Sequence, residues 1–111
     1  MTDLYYDLNG KAIKGKNALM EWAELCKSPK RILKQDFFCP RIKVSTVWLG
    51  LDHNFGGGKP LIFETIIFFN HKTMEMFRYS TREEAESGHQ EAVKMVKNPI
   101  KRILYIIKHH G

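Results

Sequence analysis

The sequence predicts an α+β domain: an antiparallel sheet of about four to five strands, a meander at its core, with two to three helices packed on it. Two observations predict it. Three β-rich segments, Ile42 to Leu51, Leu61 to Phe69 and Met74 to Tyr79, follow one another with turn-forming residues between them. Helical periodicity is confined to the flanks, between residues 17 and 27 and after residue 81.

Each element has a local cause. Tyr5 to Ile13 reads as a short hairpin around Asn9-Gly10, the pair that favours a type I′ turn. Asn17 is placed to cap a helix running to about Lys27, with Leu19, Met20, Trp22, Ala23 and Leu25 on its buried face. Ser28-Pro29 ends it, because proline excludes the residue before it from the α region. Arg31 to Phe38 follows as a strand that Pro40 closes or marks as a sheet edge. Asp52 to Lys59, with three glycines, is a loop, and Asn70-His71-Lys72-Thr73 is a turn. Thr81-Arg82-Glu83-Glu84 is a capping box that opens a helix to about Lys97, with Ala85, His89, Ala92 and Val96 along one face. Asn98-Pro99 breaks that helix. Ile100, Ile103, Leu104 and Ile107 then repeat at helical spacing. The 111 residues therefore divide into one α+β domain, 1–98, and a basic amphipathic helix, 99–111, appended to it.

Composition narrows the partners. The apolar share of 43% is enough for a core of its own. A net charge of +6 favours acidic partners: nucleotides, nucleic acid or an acidic protein face. The longest apolar run, Leu61 to Phe69, is too short to span a bilayer and is broken by Glu64 and Thr65, so no membrane partner is expected. Met1-Thr2-Asp3 opens no secretory signal, and Cys26 and Cys39 form no CxxC pair, which together point to reduced thiols in a cytosol.

Pairing the three central strands as successive hairpins sets Trp48 beside Glu64 and Glu64 beside Tyr79. Val47, Leu49, Leu51, Phe63, Ile67, Phe69, Met74 and Met76 then share one face with Thr65 and Arg78. Thr46, Trp48, Ile62, Glu64, Ile66, Phe68, Phe77 and Tyr79 share the other. Both faces are largely apolar, so the second needs another helix, a homodimer through the sheet, or a ligand. Glu64, between Ile62 and Ile66, must be paired: with the Trp48 indole, the Tyr79 hydroxyl or Arg78 as a structural bond, or with a ligand. His89 on an apolar stripe is a satisfied core residue by default and a functional one if it meets Glu64 or Asp52. Asp52-His53-Asn54 above the glycine loop either bonds its own backbone or holds a phosphate or metal. Gly56-Gly57-Gly58-Lys59 lacks the spacing of a phosphate loop, and His53, His71 and His89 lack zinc spacing, so no cofactor and no metal is expected.

Val44-Ser45-Thr46-Val47-Trp48-Leu49-Gly50-Leu51-Asp52-His53 and Pro60-Leu61-Ile62-Phe63-Glu64-Thr65, with Tyr6-Asp7-Leu8-Asn9-Gly10, Arg78-Tyr79-Ser80-Thr81 and Ala85 through Gly88-His89, resemble a group of small bacteriophage proteins. The likeness covers roughly residues 5–96 and excludes the segment after Pro99. It implies a phage accessory protein in the cytoplasm of the infected bacterial host, acting stoichiometrically on a host protein or sequestering an anionic, nucleotide-like signal. Trp48, Asp52, His53, Asn54, Lys59, Glu64, Thr65, Arg78, Tyr79 and His89 are the candidate ligand-binding residues, with aromatics stacking a base and Arg78 or Lys59 meeting phosphate. No catalytic residue is assigned. The alternatives are a small hydrolase using Asp52, His53, Glu64 and His89 as acid, base or metal ligands, and a nucleic-acid binder using the basic helices.

Overall fold

The structure, a computed structural model, describes residues 4–38, 41–54 and 56–98. The predicted C-terminal helix, Pro40 and Cys39 lie outside the described residues. The fold is α+β. Four strands, β1 (Ile32–Phe38), β2 (Ile42–Trp48), β3 (Phe63–Phe69) and β4 (Lys72–Tyr79), pair antiparallel in the order β1-β2-β3-β4. A helix α1 (Ala18–Leu25) and a 3-10 turn (Pro29–Arg31) precede the sheet, and α2 (Arg82–Lys97) follows it.

Local chemistry explains the boundaries. Ser28 caps the 3-10 turn by accepting from the Lys30 amide, with Pro29 at its first position. Thr81 accepts from the Glu84 amide at 3.1 Å, and its own hydroxyl donates to the Glu84 carboxylate at 3.0 Å, so the capping box forms in a variant geometry. Asn70 and His71 both have positive φ, the signature of a type I′ turn between β3 and β4. The N-terminal turn differs from expectation. Only Gly10 is left-handed there, and the Asp7 carboxylate holds the turn by accepting from the Asn9 and Lys11 amides at 2.9 Å each. The hairpin reduces to one bridge, Tyr6 to Ala12, while Tyr5 bridges Leu51.

The first helix buries less than its pattern suggests. Leu19 and Met20 are exposed, and only Ala18 is fully buried. Trp22 anchors it instead, its indole N–H donating to the Leu49 carbonyl at 3.0 Å.

Helix α2 lies across all four strands and covers one face, here called inner. Ala85, His89, Ala92 and Val96 are its buried residues, the face expected from helical spacing. Two clusters fill the core. Ile42, Val44, Ile67 and Met74 pack under Ala92 and Val96. Tyr6, Trp48, Ile62 and Phe63 pack with Ala85 at the other end.

The register departs from the expected one by one residue. Trp48 pairs with Phe63, Val47 with Glu64, and Glu64 with Arg78. A slip of one sends each side chain of a strand to the opposite face. Trp48, Thr65, Ile67, Phe69 and Tyr79 are therefore inner, and Glu64, Ile66, Phe68 and Arg78 are outer. A bulge between Ile67 and Phe68 also breaks the β3–β4 register, which a count of loop residues cannot anticipate.

Candidate functional site

A chain of polar side chains crosses the inner face beneath α2. His89, 2% exposed, places Nε2 2.7 Å from Asp36 Oδ2 on β1 and Nδ1 2.7 Å from Thr46 Oγ1 on β2. Thr46 Oγ1 lies 2.5 Å from Thr65 Oγ1 on β3, and the Tyr79 hydroxyl of β4 bonds Thr65. One side chain from each strand and one from the helix thus join in a line. An ionised carboxylate only accepts, so Nε2 carries a hydrogen. With the ring neutral, Nδ1 accepts from Thr46, Thr46 accepts from Thr65, and Thr65 accepts from Tyr79. Thr46 and Thr65 each give one hydrogen bond and take one, and Tyr79 ends the line as a donor. Among the described residues, every buried side-chain nitrogen and oxygen has a partner.

The electrostatics follow from the contacts. The hydrogen bond from His89 holds the Asp36 carboxyl below its ordinary value, opposed by partial burial and helped by the charges of Lys34 and Lys97. Burial raises the Tyr79 phenol above its ordinary value. Gly88 makes room for this phenol: a Cβ on residue 88 would overlap the Tyr79 ring and hydroxyl.

Two adjoining hollows open between β1 and α2. One, of about 200 Å³, is lined by Leu33, Lys34, Thr46, Glu86, His89 and Gln90. The other, of about 330 Å³, runs on past Asp36, Phe38, Val93, Lys94 and Lys97.

The expected gathering of Trp48, Glu64 and Tyr79 does not occur. Trp48 is buried on the inner face, its indole N–H donating to the Asp7 carbonyl at 2.7 Å. Tyr79 and Thr65 join the His89 chain. Glu64 points outward and pairs with Arg78, Nε to Oε2 at 3.1 Å, the one partner of its three structural options that the register allows. The loop residues form a separate group. Asp52 Oδ1 accepts from the Asn54 and Leu61 amides at 2.8 and 3.0 Å, and Asn54 Nδ2 donates to the Lys59 carbonyl at 2.8 Å. Asp52 and Asn54 therefore shape the loop, His53 stands between them, and the Lys59 side chain is exposed. His89 meets neither Glu64 nor Asp52. The four residues of the hydrolase alternative are distributed over a loop and both faces.

Sequence reasoning missed Asp36 and the role of Thr46. A signal existed: a histidine on an apolar helix stripe needs polar partners from the sheet, and Asp36, Thr46 and Thr65 are the polar residues at alternating positions of β1, β2 and β3.

An Asp-His-Thr order resembles a nucleophilic triad, but the geometry closes it. Thr46 and Thr65 are fully buried, and the Thr46 oxygen already accepts from Thr65. A nucleophile with no exposed surface meets no substrate. No group of three or more metal-ligating side chains occurs among the described residues. No described helix is long and apolar enough to cross a membrane.

The outer face is open in part: Ser45 and Glu64 are buried on it, while apolar side chains around them reach water. Phe37 is 70% exposed and Met76 42%, and Val47, Ile66 and Phe68 are half-buried. Phe37, Arg41, Ile42, Lys43, Phe68 and His71 line a hollow of about 190 Å³, and Lys43 Nζ sits 4.7 Å above the Phe68 ring. No family model, curated protein or solved structure matches the chain.

Proposed function

We propose that this chain is a phage accessory protein that acts in the host cytoplasm by stoichiometric binding of a host protein, without catalysis. One observation carries the proposal: the polar groups of the inner face are consumed by one another, while the outer face keeps Phe37, Val47, Ile66, Phe68 and Met76 in contact with water. Apolar side chains contiguous on an open sheet favour a macromolecular contact over a reaction. The resemblance to small bacteriophage proteins agrees with this, as does the net charge of +6, which favours an acidic partner. A second copy of the chain would bury the same face, which is the homodimer alternative.

One observation favours a second reading, an anionic nucleotide-like ligand. The hollow between Phe37 and Phe68 sets two aromatic rings beside Arg41, Lys43 and His71. The residues expected for that role do not serve it, since Trp48 is buried and Arg78 is held by Glu64. The hollow replaces them.

Mass spectrometry of material co-purifying with the tagged chain from infected cells tests both readings. A host protein in near-equal molar amount, lost on Phe37→Ser with Met76→Lys, is the expected result. A nucleotide without a protein would transfer the assignment to the aromatic hollow. Turnover of nucleotides by the purified chain with divalent metal would overturn the non-catalytic assignment.

A further inference from the structure

The geometry points to β1 as the docking edge: it takes up an extended, acidic segment of a partner protein as a fifth strand, with alternate side chains of that segment entering the groove beside α2. This inference rests on the binding function proposed above and names the partner's chemistry and mode of attachment.

The sheet order leaves β1 with a partner on one side only among the described residues. Among the described residues nothing pairs with the backbone donors and acceptors of its other edge, a template for a further strand. From Lys34 to Phe38 the pairing with β2 is regular, the register shift being confined to its first residues. Five regular residues match the usual length of a strand, about five to six.

Strand addition has a two-sided chemical requirement, because successive side chains point to opposite faces. On the inner side, an incoming strand would lie over the two hollows between β1 and α2. Their floor is Leu33, Phe38 and Val93, and their rim carries Lys34, Lys94 and Lys97. Lys97 Nζ lies 5.9 Å from the Phe38 ring centre, at the groove itself. Asp36 is already engaged by His89, and Glu86 is the other carboxylate of the lining. Lys94 already pairs with Glu91 at 3.5 Å and Glu86 with Arg82 at 3.3 Å, which leaves Lys34 and Lys97 as the cations that favour an acidic row of side chains. On the outer side, the neighbour is Phe37, whose 70% exposure leaves an aromatic ring without a cross-strand companion beyond the edge. An apolar row fits there. The occupant is thus a segment alternating acidic and apolar residues.

Charge decides against two other occupants. A second copy adding its own β1 would bring Lys34, Lys94 and Lys97 of both chains to one seam. A nucleic-acid backbone would meet Asp36 and Glu86 and would leave the strand's hydrogen-bonding edge unused.

The test uses the full chain and a short fluorescent peptide alternating Glu and Val, with a Lys–Val peptide and oligo-dT as controls. The Glu–Val peptide should bind saturably, and its affinity should fall about tenfold as salt rises from about 0.05 to about 0.5 M. Backbone amide shifts should centre on Lys34 to Phe38 and on α2 from Gln90 to Lys97. The exposed triple change Lys34→Glu, Lys94→Glu, Lys97→Glu should lose the Glu–Val peptide and gain the Lys–Val one. Phe37→Ser should weaken binding without altering thermal unfolding, which keeps the test valid should the triple variant misfold. Shifts centred on Lys43, Ile66 and Phe68 would overturn the edge assignment, as would preferential binding of oligo-dT. Concentration-dependent shifts at Lys34 to Phe38 without peptide would assign the edge to a second copy and overturn it too. Failure of the Glu–Val peptide to bind would also overturn it, and the co-purification result would still stand or fall separately.

Discussion

Glu64 and Thr65 are neighbours on β3 that point to opposite faces, and they meet opposite fates. Thr65 enters a line of five side chains running from Asp36 through His89 and Thr46 to Tyr79. Glu64 makes an ion pair with an arginine whose side chain is 35% exposed. The covered face has no water to correct an unmet donor, so its polar groups must complete one another. On the outer face Glu64 is buried too, but water reaches its partner Arg78, so a single ion pair suffices there, and apolar side chains are kept for another molecule. The lesson is that the more connected cluster is the less available one: His89 looks like chemistry and holds the fold.

The largest expected effect follows from removing the centre of that line. His89→Ala would open a cavity under α2 and leave the buried Thr46 hydroxyl without its acceptor, at a cost of about 3 kcal/mol. Urea unfolding measures it, and a loss below about 1 kcal/mol would mean that water fills the site and the line is dispensable. Next comes Gly88→Ala. Alanine in a helix interior usually gains about 1 kcal/mol over glycine. Here the new Cβ overlaps the Tyr79 phenol, and overpacking of about 1–3 kcal/mol with the loss of a buried hydrogen bond of about 1 kcal/mol reverses the sign. In a Tyr79→Val background the same change should become stabilising, which separates steric overlap from any defect of the helix.

Much of this contrast was legible in the sequence, and the part that was not has a definite cause. The capping box at Thr81, the buried stripe Ala85-His89-Ala92-Val96 and the order of strands depend on short-range chemistry, and a sequence displays that directly. Which face Glu64 occupies depends on register. Between β2 and β3 the chain does not turn tightly: Leu49 and Gly50 both bond the Ile62 carbonyl, and Asp52 bonds Leu61. That loop absorbs residues without announcing how many, and one residue decides the face. Asp36 escaped for another reason. It lies 53 residues from His89, and only the folded sheet makes them neighbours. The exposure of Phe37 was equally hidden, because an edge strand and an inner one share the same composition.

On the outer face the effects shrink. Glu64→Gln should cost about 1 kcal/mol, since it keeps one hydrogen bond to Arg78 and the guanidinium stays wetted. A loss comparable to that of His89→Ala would show that the burial of Glu64 within the single chain outweighs the wetting of Arg78 and makes the pair part of the core. Phe37→Ser should alter stability by no more than about 0.5 kcal/mol while weakening partner binding. A markedly destabilised Phe37→Ser would mean that this ring is already packed against something in the free protein.

The smallest effect sharpens the comparison through acid. Asp36 titrates below its ordinary value of 3.8 in the folded chain, first because of the hydrogen bond from His89. Between the folded value and the ordinary one, the unfolded chain binds the proton more readily, so stability rises with pH across that window. The contribution is complete above about pH 5 and is lost as pH falls through the folded value. Asp36→Asn keeps an acceptor for the Nε2 hydrogen and cannot titrate. The stability gap between the two proteins should therefore narrow as pH falls below the ordinary value of 3.8 towards the folded one. Partial exposure of Asp36 keeps the change small, which makes the shape of the difference, rather than its size, the quantity to measure in urea titrations at closely spaced pH. Curves that stay parallel through acid would mean that the carboxylate gains nothing from His89 and that the line across the inner face ends at the imidazole.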